Sequence, residues 1–458
     1  MNLHTFAGLR ARGTGRHLTA GVAAVALFSG FGNAQTVTPG PALTLSDVLR
    51  AARQQHPLVG AAQARARASR GDRTTAGTFP DPVLTYQVEN ARFPGSSAIL
   101  GLDRETSIFA TLPLEPIFQR WSRVGRADAE VRAADADLVA DTRRVALDAA
   151  RAWYRAALAQ LSLAGALEWR DGLQQLVEYN RPRVAEGVTA EGDLIRLQVE
   201  RDRAAATATL ERVELLRARA ELAAFLGRSS AAVAGESLVV AVEEQAPVPS
   251  IGDLDLYIER ARRLRPELLS ARARAVAAGS EAAYQRALTI PQIGASVGVK
   301  DVGGTRTLLA GISAPLPLFD RNRGGIRRAV ANHDAAEFDA EWVDRRVVAE
   351  LAAAHEVARI LGAQVQSLDA SFLERAETSH RVALAAYQDG ATPLLNVIDA
   401  ARSRTEARLT YYRTVFAFRV SLLELNVLAG ADPLAPPAPG TGGDSPSLTF
   451  TSRDGGRP

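Results

Sequence analysis

Cysteine is absent from the 458 residues, and a single lysine, Lys300, stands among 54 basic side chains. The first absence excludes disulfides, thiolate metal sites and an anchor on an acylated N-terminal cysteine. The second leaves Gly303-Gly304 and Gly324-Gly325 outside any phosphate-cradling loop with its lysine, so they read as turns at a strand loop and a helix start. Aromatic residues make up only 6% of a chain that is 47% hydrophobic, so alanine and leucine carry the apolar weight. With 23% charged residues, that bias indicates long helices packed through small side chains and argues against a compact enzyme with an aromatic core.

Long hydrophobic runs are also missing. Arg10, Arg12 and Arg16, with no acid, precede an apolar run from Leu18 to Phe28 and the small residues Gly32-Asn33-Ala34. This is the pattern of a secretory signal peptide, expected at residues 1–34. The run falls well short of the roughly 20 residues that span a bilayer, and no later stretch is long enough either. Export removes three arginines and no acid, so Lys+Arg falls from 54 to 51 against 51 Asp+Glu. The mature chain is then neutral, and nucleic acid is not an expected partner.

What is present occurs twice. Glu186-Gly187-Val188-Thr189 is answered 203 residues later by Asp389-Gly390-Ala391-Thr392, and Leu112-Pro113 after 204 by Leu316-Pro317. Leu226-Gly227 returns as Ala429-Gly430, and Pro57 after His56 as Pro266 after Arg265. These offsets predict a first repeat over 35–227, a connector over 228–252, a second repeat over 253–430 and a Pro/Gly/Ser-rich tail over 431–458.

Each repeat predicts the same series. Residues 44–72 read as a helix with caps at Thr44 or Ser46 and a kink or break at Pro57. After Asp81-Pro82 the period changes to two: Leu84, Tyr86 and Val88 alternate with Thr85, Gln87 and Glu89, and Ile108, Ala110 and Leu112 with Ser107, Phe109 and Thr111. This predicts a hairpin over 82–114 with a loop of about a dozen residues. In the second repeat Ile293, Ala295, Val297 and Val299 alternate with Gln292, Gly294, Ser296, Gly298 and Lys300, which predicts a hairpin over 291–316. Strands of this length suit a tilted membrane crossing and equally two half-buried hairpins of a soluble sheet.

From Pro116 to about Arg181 and from Asp320 to about Tyr387 neither proline nor strand pattern intervenes, which predicts two helices of about 100 Å. Val347, Leu351, Ala354, Ala358, Leu361, Val365, Leu368 and Phe372 form a heptad seam on the second. Shorter helices return over 191–226 and 394–429 after the glycine turns. The helices at 44–78 and 254–289 have the length to complete two coiled-coil pairs.

Both ends of each hairpin lead into helices, so membrane-crossing hairpins would put every helix on one side, the periplasm for an exported chain. Four strands cannot close a barrel, and lipid tolerates no open edge, so the barrel would be shared between subunits. Duplicated halves with two hairpins, two very long helices and glycine turns resemble the TolC-like outer-membrane factor family over nearly the whole mature chain. Asp81-Pro82 before a strand ending Val88-Glu89-Asn90, and Pro315-Leu316-Pro317-Leu318-Phe319-Asp320-Arg321-Asn322-Arg323-Gly324-Gly325, resemble its CzcC-like heavy-metal efflux branch.

The resemblance implies a membrane α+β fold: a homotrimer with a twelve-stranded outer-membrane barrel continued by a periplasmic α-helical tunnel. Its expected partners are outer-membrane lipid, a periplasmic adaptor and an inner-membrane, proton-driven RND-type pump. By similarity to the family's tips, Gly187 and Gly390 make the turns, Asp193 and Tyr387 fall at gate positions, and Asp399 lies on the same inner return helix. Thr392 stands where some members have an arginine that pairs with such an aspartate, leaving Arg196, Arg402 or Arg404 as substitutes. Glu115-Pro116 departs from the Gly-rich turn usual after the first hairpin.

Polar strand residues would line the lumen: Thr85, Gln87, Glu89, Gln292, Ser296 and Lys300. No catalytic constellation or cofactor fingerprint is found, and His56, His333, His355 and His380 show no His-x-His or His-x3-His spacing. The expected function is an efflux exit duct for heavy-metal cations. The alternatives are a duct for drugs or other small organic molecules and a soluble periplasmic coiled-coil scaffold or adaptor; a secreted enzyme would need a site that is not found.

Overall fold

The computed structural model describes residues 42–91, 103–227, 239–241, 249–368 and 370–433. The expected signal peptide, most of the connector, the middle of the first hairpin loop and residues 434–458 lie outside them.

Helix α1 (Leu45–Gln55) opens on a reciprocal cap: the Thr44 hydroxyl accepts from the Asp47 amide at 3.2 Å, and the Asp47 carboxylate accepts from the Thr44 amide at 3.3 Å. His56 then adopts an extended backbone, as a residue before proline must, and α2 (Pro57–Gly77) starts with Pro57 at its first position. The same break separates α5 (Leu254–Leu264) from α6 (Pro266–Ala287) at Arg265-Pro266.

The long helix α3 (Ile117–Ala185) is continuous for 69 residues, about 100 Å, and runs past Pro182, where only the last turn loses a donor. Its counterpart is not continuous. The expected single helix over 320–387 is divided into α7 (Arg323–Ser367) and α8 (Ala370–Gln388). Leu368 leaves helical geometry at φ −89° and ψ 60°, while the Ser367 hydroxyl donates to the Gln364 carbonyl at 2.7 Å. The Gln364 carbonyl accepts both this bond and the Leu368 amide at 3.0 Å, so the helix stops there with its last bond made, a stop that the heptad seam does not reveal. The return helices are α4 (Glu191–Phe225) and α9 (Leu394–Leu428).

Helix α3 is the spine. It packs on α4 toward the tip and on α1, α2 and α6 elsewhere; α7 packs on α6, and α9 touches α3, α7 and α8. Alanines at zero or near-zero exposure, among them Ala149, Ala150, Ala156 and Ala157, let these helices approach closely. Aromatics concentrate where α1, α3, α4 and α9 meet: Trp153, Tyr154, Tyr412 and Phe416 share one cluster with Val48 and Leu222. The connector is pinned to the spine, since Leu43 and Val240 form a parallel bridge and the Gln160 side chain both donates to and accepts from the Val240 backbone, at 3.2 and 3.1 Å.

Strands β1 (Val83–Glu89), β2 (Glu105–Leu114), β3 (Ile293–Val302) and β4 (Thr305–Ser313) form one antiparallel sheet in that order. The two hairpins are thus joined edge to edge through β2 and β3. Among the described residues β1 and β4 have no further partner strand, and no helix is long and apolar enough to cross a membrane.

Candidate functional site

The register sorts the sheet into two faces. Tyr86, Ile108, Val299 and Leu308 lie side by side across all four strands, and the next row is Gln87, Ser107, Lys300 and Thr307. Leu84, Leu112, Val297 and Ile312 extend the apolar face, and all of these large apolar side chains are exposed. The opposite face, mostly polar but carrying Phe109 and Leu309, bounds a concavity of about 360 Å³ whose polar lining is Gln87, Glu89, Glu105, Ser107, Ser296 and Lys300. Of the expected lumen residues, Thr85, Gln87, Glu89, Ser296 and Lys300 share this face, whereas Gln292 precedes β3.

Glu105 was missed by sequence reasoning because β2 begins two residues earlier than its visible alternation. It forms an ion pair with Lys300. Gln87 donates to Glu89 at 2.7 Å, and the Thr111 and Ser296 hydroxyls are 2.9 Å apart across β2 and β3. A face that satisfies its polar groups this way is suited to water, and the other to lipid.

At the far end of the helices, Gly187 (φ 74°) and Gly390 (φ 73°) terminate α3 and α8 with the same bonds. The Val188 amide reaches the Arg183 carbonyl at 2.8 Å and Gly187 reaches Val184 at 3.0 Å; Ala391 reaches Ala386 at 2.8 Å and Gly390 reaches Tyr387 at 3.0 Å. Both are six-to-one helix stops that need a left-handed residue, which glycine provides without a Cβ penalty.

The expected gate residues fall near these turns without forming one contact network. Tyr387 donates to Asn180 Oδ1 at 2.7 Å, tying α8 to α3, and its ring meets Tyr179 at 6.4 Å. Burial pushes the Tyr387 phenol up, so it stays a neutral donor. Asn180, fully buried, was not anticipated; a lone asparagine in a helical run gives no sequence signal. Asp193 sits in the first turn of α4, where a carboxylate favours the helix dipole. Thr392 accepts from Asn396 at 2.6 Å. Asp399 lies with Arg196, Glu200 and Arg402 along a groove between α4 and α9.

The candidate substitutes for a gate arginine divide. Arg402 approaches Glu200 at 3.6 Å. Arg404 is committed elsewhere, pairing with Glu168 on α3 and with Glu377 on α8 at 3.2 Å, while Arg408 holds the other Glu168 oxygen at 2.8 Å. Burial, then Arg404, pushes the neighbouring His380 imidazole down, toward its neutral form. His56 stacks on Phe225, and His355 meets the Gly252 carbonyl at 2.9 Å.

Comparison with known proteins agrees with this architecture. Residues 257–431 match the model of a family described as outer membrane efflux protein. The cobalt-zinc-cadmium resistance protein CzcC of Cupriavidus metallidurans is 24% identical over 81% of this chain and 86% of its own length. Over residues 257–431 the chain is thus similar to outer membrane efflux proteins. The nickel-cobalt-cadmium resistance protein NccC of Alcaligenes xylosoxydans xylosoxydans is 27% identical over 63% of this chain and 66% of that protein. Among solved structures, the outer-membrane channel OprN superposes with a TM-score of 0.70 at 21% identity, covering 85% of this chain and 91% of OprN. The family matched is described as outer membrane efflux protein and the solved structure as an outer-membrane channel.

Proposed function

We propose that the chain is the exit duct of a tripartite efflux system and carries heavy-metal cations. The observation that carries the duct reading is the sheet: one exposed apolar face, one polar face and two unpaired edges. Lipid requires those edges to be closed, and three copies would supply a twelve-stranded barrel with Thr85, Gln87, Glu89, Ser296 and Lys300 toward the lumen. The metal reading is supported by the cobalt, zinc, cadmium and nickel resistance relatives. The long helices would lie in the periplasm, where a periplasmic adaptor and an inner-membrane RND-type pump would complete the path.

Deleting the gene should lower tolerance to zinc, cobalt, cadmium or nickel and leave a drug panel unchanged. Sensitivity to drugs alone would overturn the metal assignment and leave the duct in place.

In this reading Gly187, Asp193, Tyr387, Gly390, Thr392 and Asp399 belong to the closing end. Tyr387 would act as a latch holding α8 against α3. Tyr387→Phe strands the buried Asn180 carbonyl, at a cost of about 1–3 kcal/mol. The variant is expected to show a higher open fraction in planar-bilayer recordings; an unchanged closed state would remove Tyr387 from the gate.

A further inference from the structure

We infer that α8 is a pH-dependent arm, docked on α9 while His380 is neutral and swinging out from the break at Leu368 once His380 takes up a proton. The packing sets this helix apart. Each of the other described helices buries at least one side chain, whereas among the described residues of α8 none is buried. The nonhelical backbone at Leu368 separates it from α7, so it can move without bending a continuous helix. Polar contacts therefore carry much of its attachment: Tyr387 with Asn180 at the tip, and a charged cluster near its middle.

In that cluster Glu377 and His380, one turn apart on α8, both face Arg404 of α9, at 3.2 and 3.4 Å. Arg404 also pairs with Glu168 of α3, whose other oxygen Arg408 holds at 2.8 Å. With the imidazole neutral, two carboxylates balance two guanidiniums. The Arg404 side chain is only 15% exposed and bound to groups on two other helices, so it has little room to turn away.

The atom of His380 that meets Arg404 is Nδ1, and a guanidinium nitrogen can only donate. Nδ1 must therefore accept, which places the ring proton on Nε2. A proton added at Nδ1 sets donor against donor and cation against cation, and it leaves the cluster with one positive charge in excess. Glu377 and Glu168, which favour the imidazolium, are already engaged by the arginines. Burial, then Arg404, outweighs them and holds the imidazole below its ordinary range. Docking is thus at full strength above about pH 6.5, the ordinary imidazole value, and weakens as the pH falls below it, because the free arm binds the proton that the docked arm excludes. These contacts lie within one chain and do not rest on the duct reading.

The chain has no cysteine, so Gln175→Cys on α3 and Ala385→Cys on α8, both exposed, accept a nitroxide pair without background. The doubly labelled protein, in detergent and diluted into unlabelled copies, is measured by pulsed electron resonance between about pH 7.5 and about pH 5. One distance is expected at the upper end, and a second, longer one that grows below about pH 6.5. His380→Gln can still accept from Arg404 but takes no proton, and it should keep the single distance throughout. His380→Lys, charged across the whole range, should show the longer distance even at the upper end. The inference is overturned if the wild-type distances do not change with pH, if the change survives in His380→Gln, or if His380→Lys docks like the wild type. Should His380→Gln fail to assemble, the wild-type titration and His380→Lys still decide.

Discussion

Leu308→Arg is expected to abolish the outer-membrane oligomer, leaving chain that migrates as monomer without heating. Leu308 is 77% exposed in the single chain and ends the apolar row Tyr86, Ile108, Val299, Leu308. In water such a row would be a liability; against lipid it is the favourable surface. An arginine near the bilayer midplane of a barrel costs about 2–4 kcal/mol, and each subunit of the assembly would carry one. Thr307→Arg, one residue away on the opposite face, should assemble like the wild type, because in the proposed barrel that face would meet water. Membrane fractionation with heat-modifiable migration reads both variants. Equal assembly of the two would show that the face does not meet lipid.

Much of this architecture was legible because a few residue types act locally and without alternatives. Pro57 and Pro266 each force an extended preceding residue, so both helix breaks fall where the sequence puts them. The glycine turns and the return helices beginning at Glu191 and Leu394 follow for the same reason. Period-two alternation identified the strands, and with them the polar face.

What escaped depended on contacts that no period encodes. The break at Leu368 lies within an intact heptad seam and shows only in the backbone geometry there. Glu105 resembles loop until the register with Val302 extends β2, and only then does it meet Lys300. Asn180 becomes a partner only when α8 lies against α3. Arg404, one of the three arginines the sequence offered at the tip, pairs with Glu168 and Glu377, contacts that only the packing of α3, α8 and α9 creates.

The joint between the hairpins should be the most sensitive point in the sheet. At Gly298 a Cβ would stand 2.2 Å from the Ile108 carbonyl oxygen, 2.4 Å from Phe109 Cβ and 2.5 Å from Phe109 Cα. These atoms belong mainly to the backbone of the adjacent strand and cannot rotate aside, so even Gly298→Ala must push β3 away from β2. That pairing is the sole strand contact between the two hairpins among the described residues. The expected cost is about 3 kcal/mol, the upper end for overpacking, with the damage repeated in every subunit of a shared barrel. Gly311→Ala is the matched control: it lies on the same face of β4, and its nearest neighbour would be Ser296 Cβ at 4.0 Å. Gly298→Ala should lower the temperature at which the oligomer dissociates, or prevent its assembly, while Gly311→Ala leaves it unchanged. Equal heat stability in the two variants would mean that β2 and β3 can separate without cost, and the single continuous sheet on which the duct reading depends would have to be abandoned.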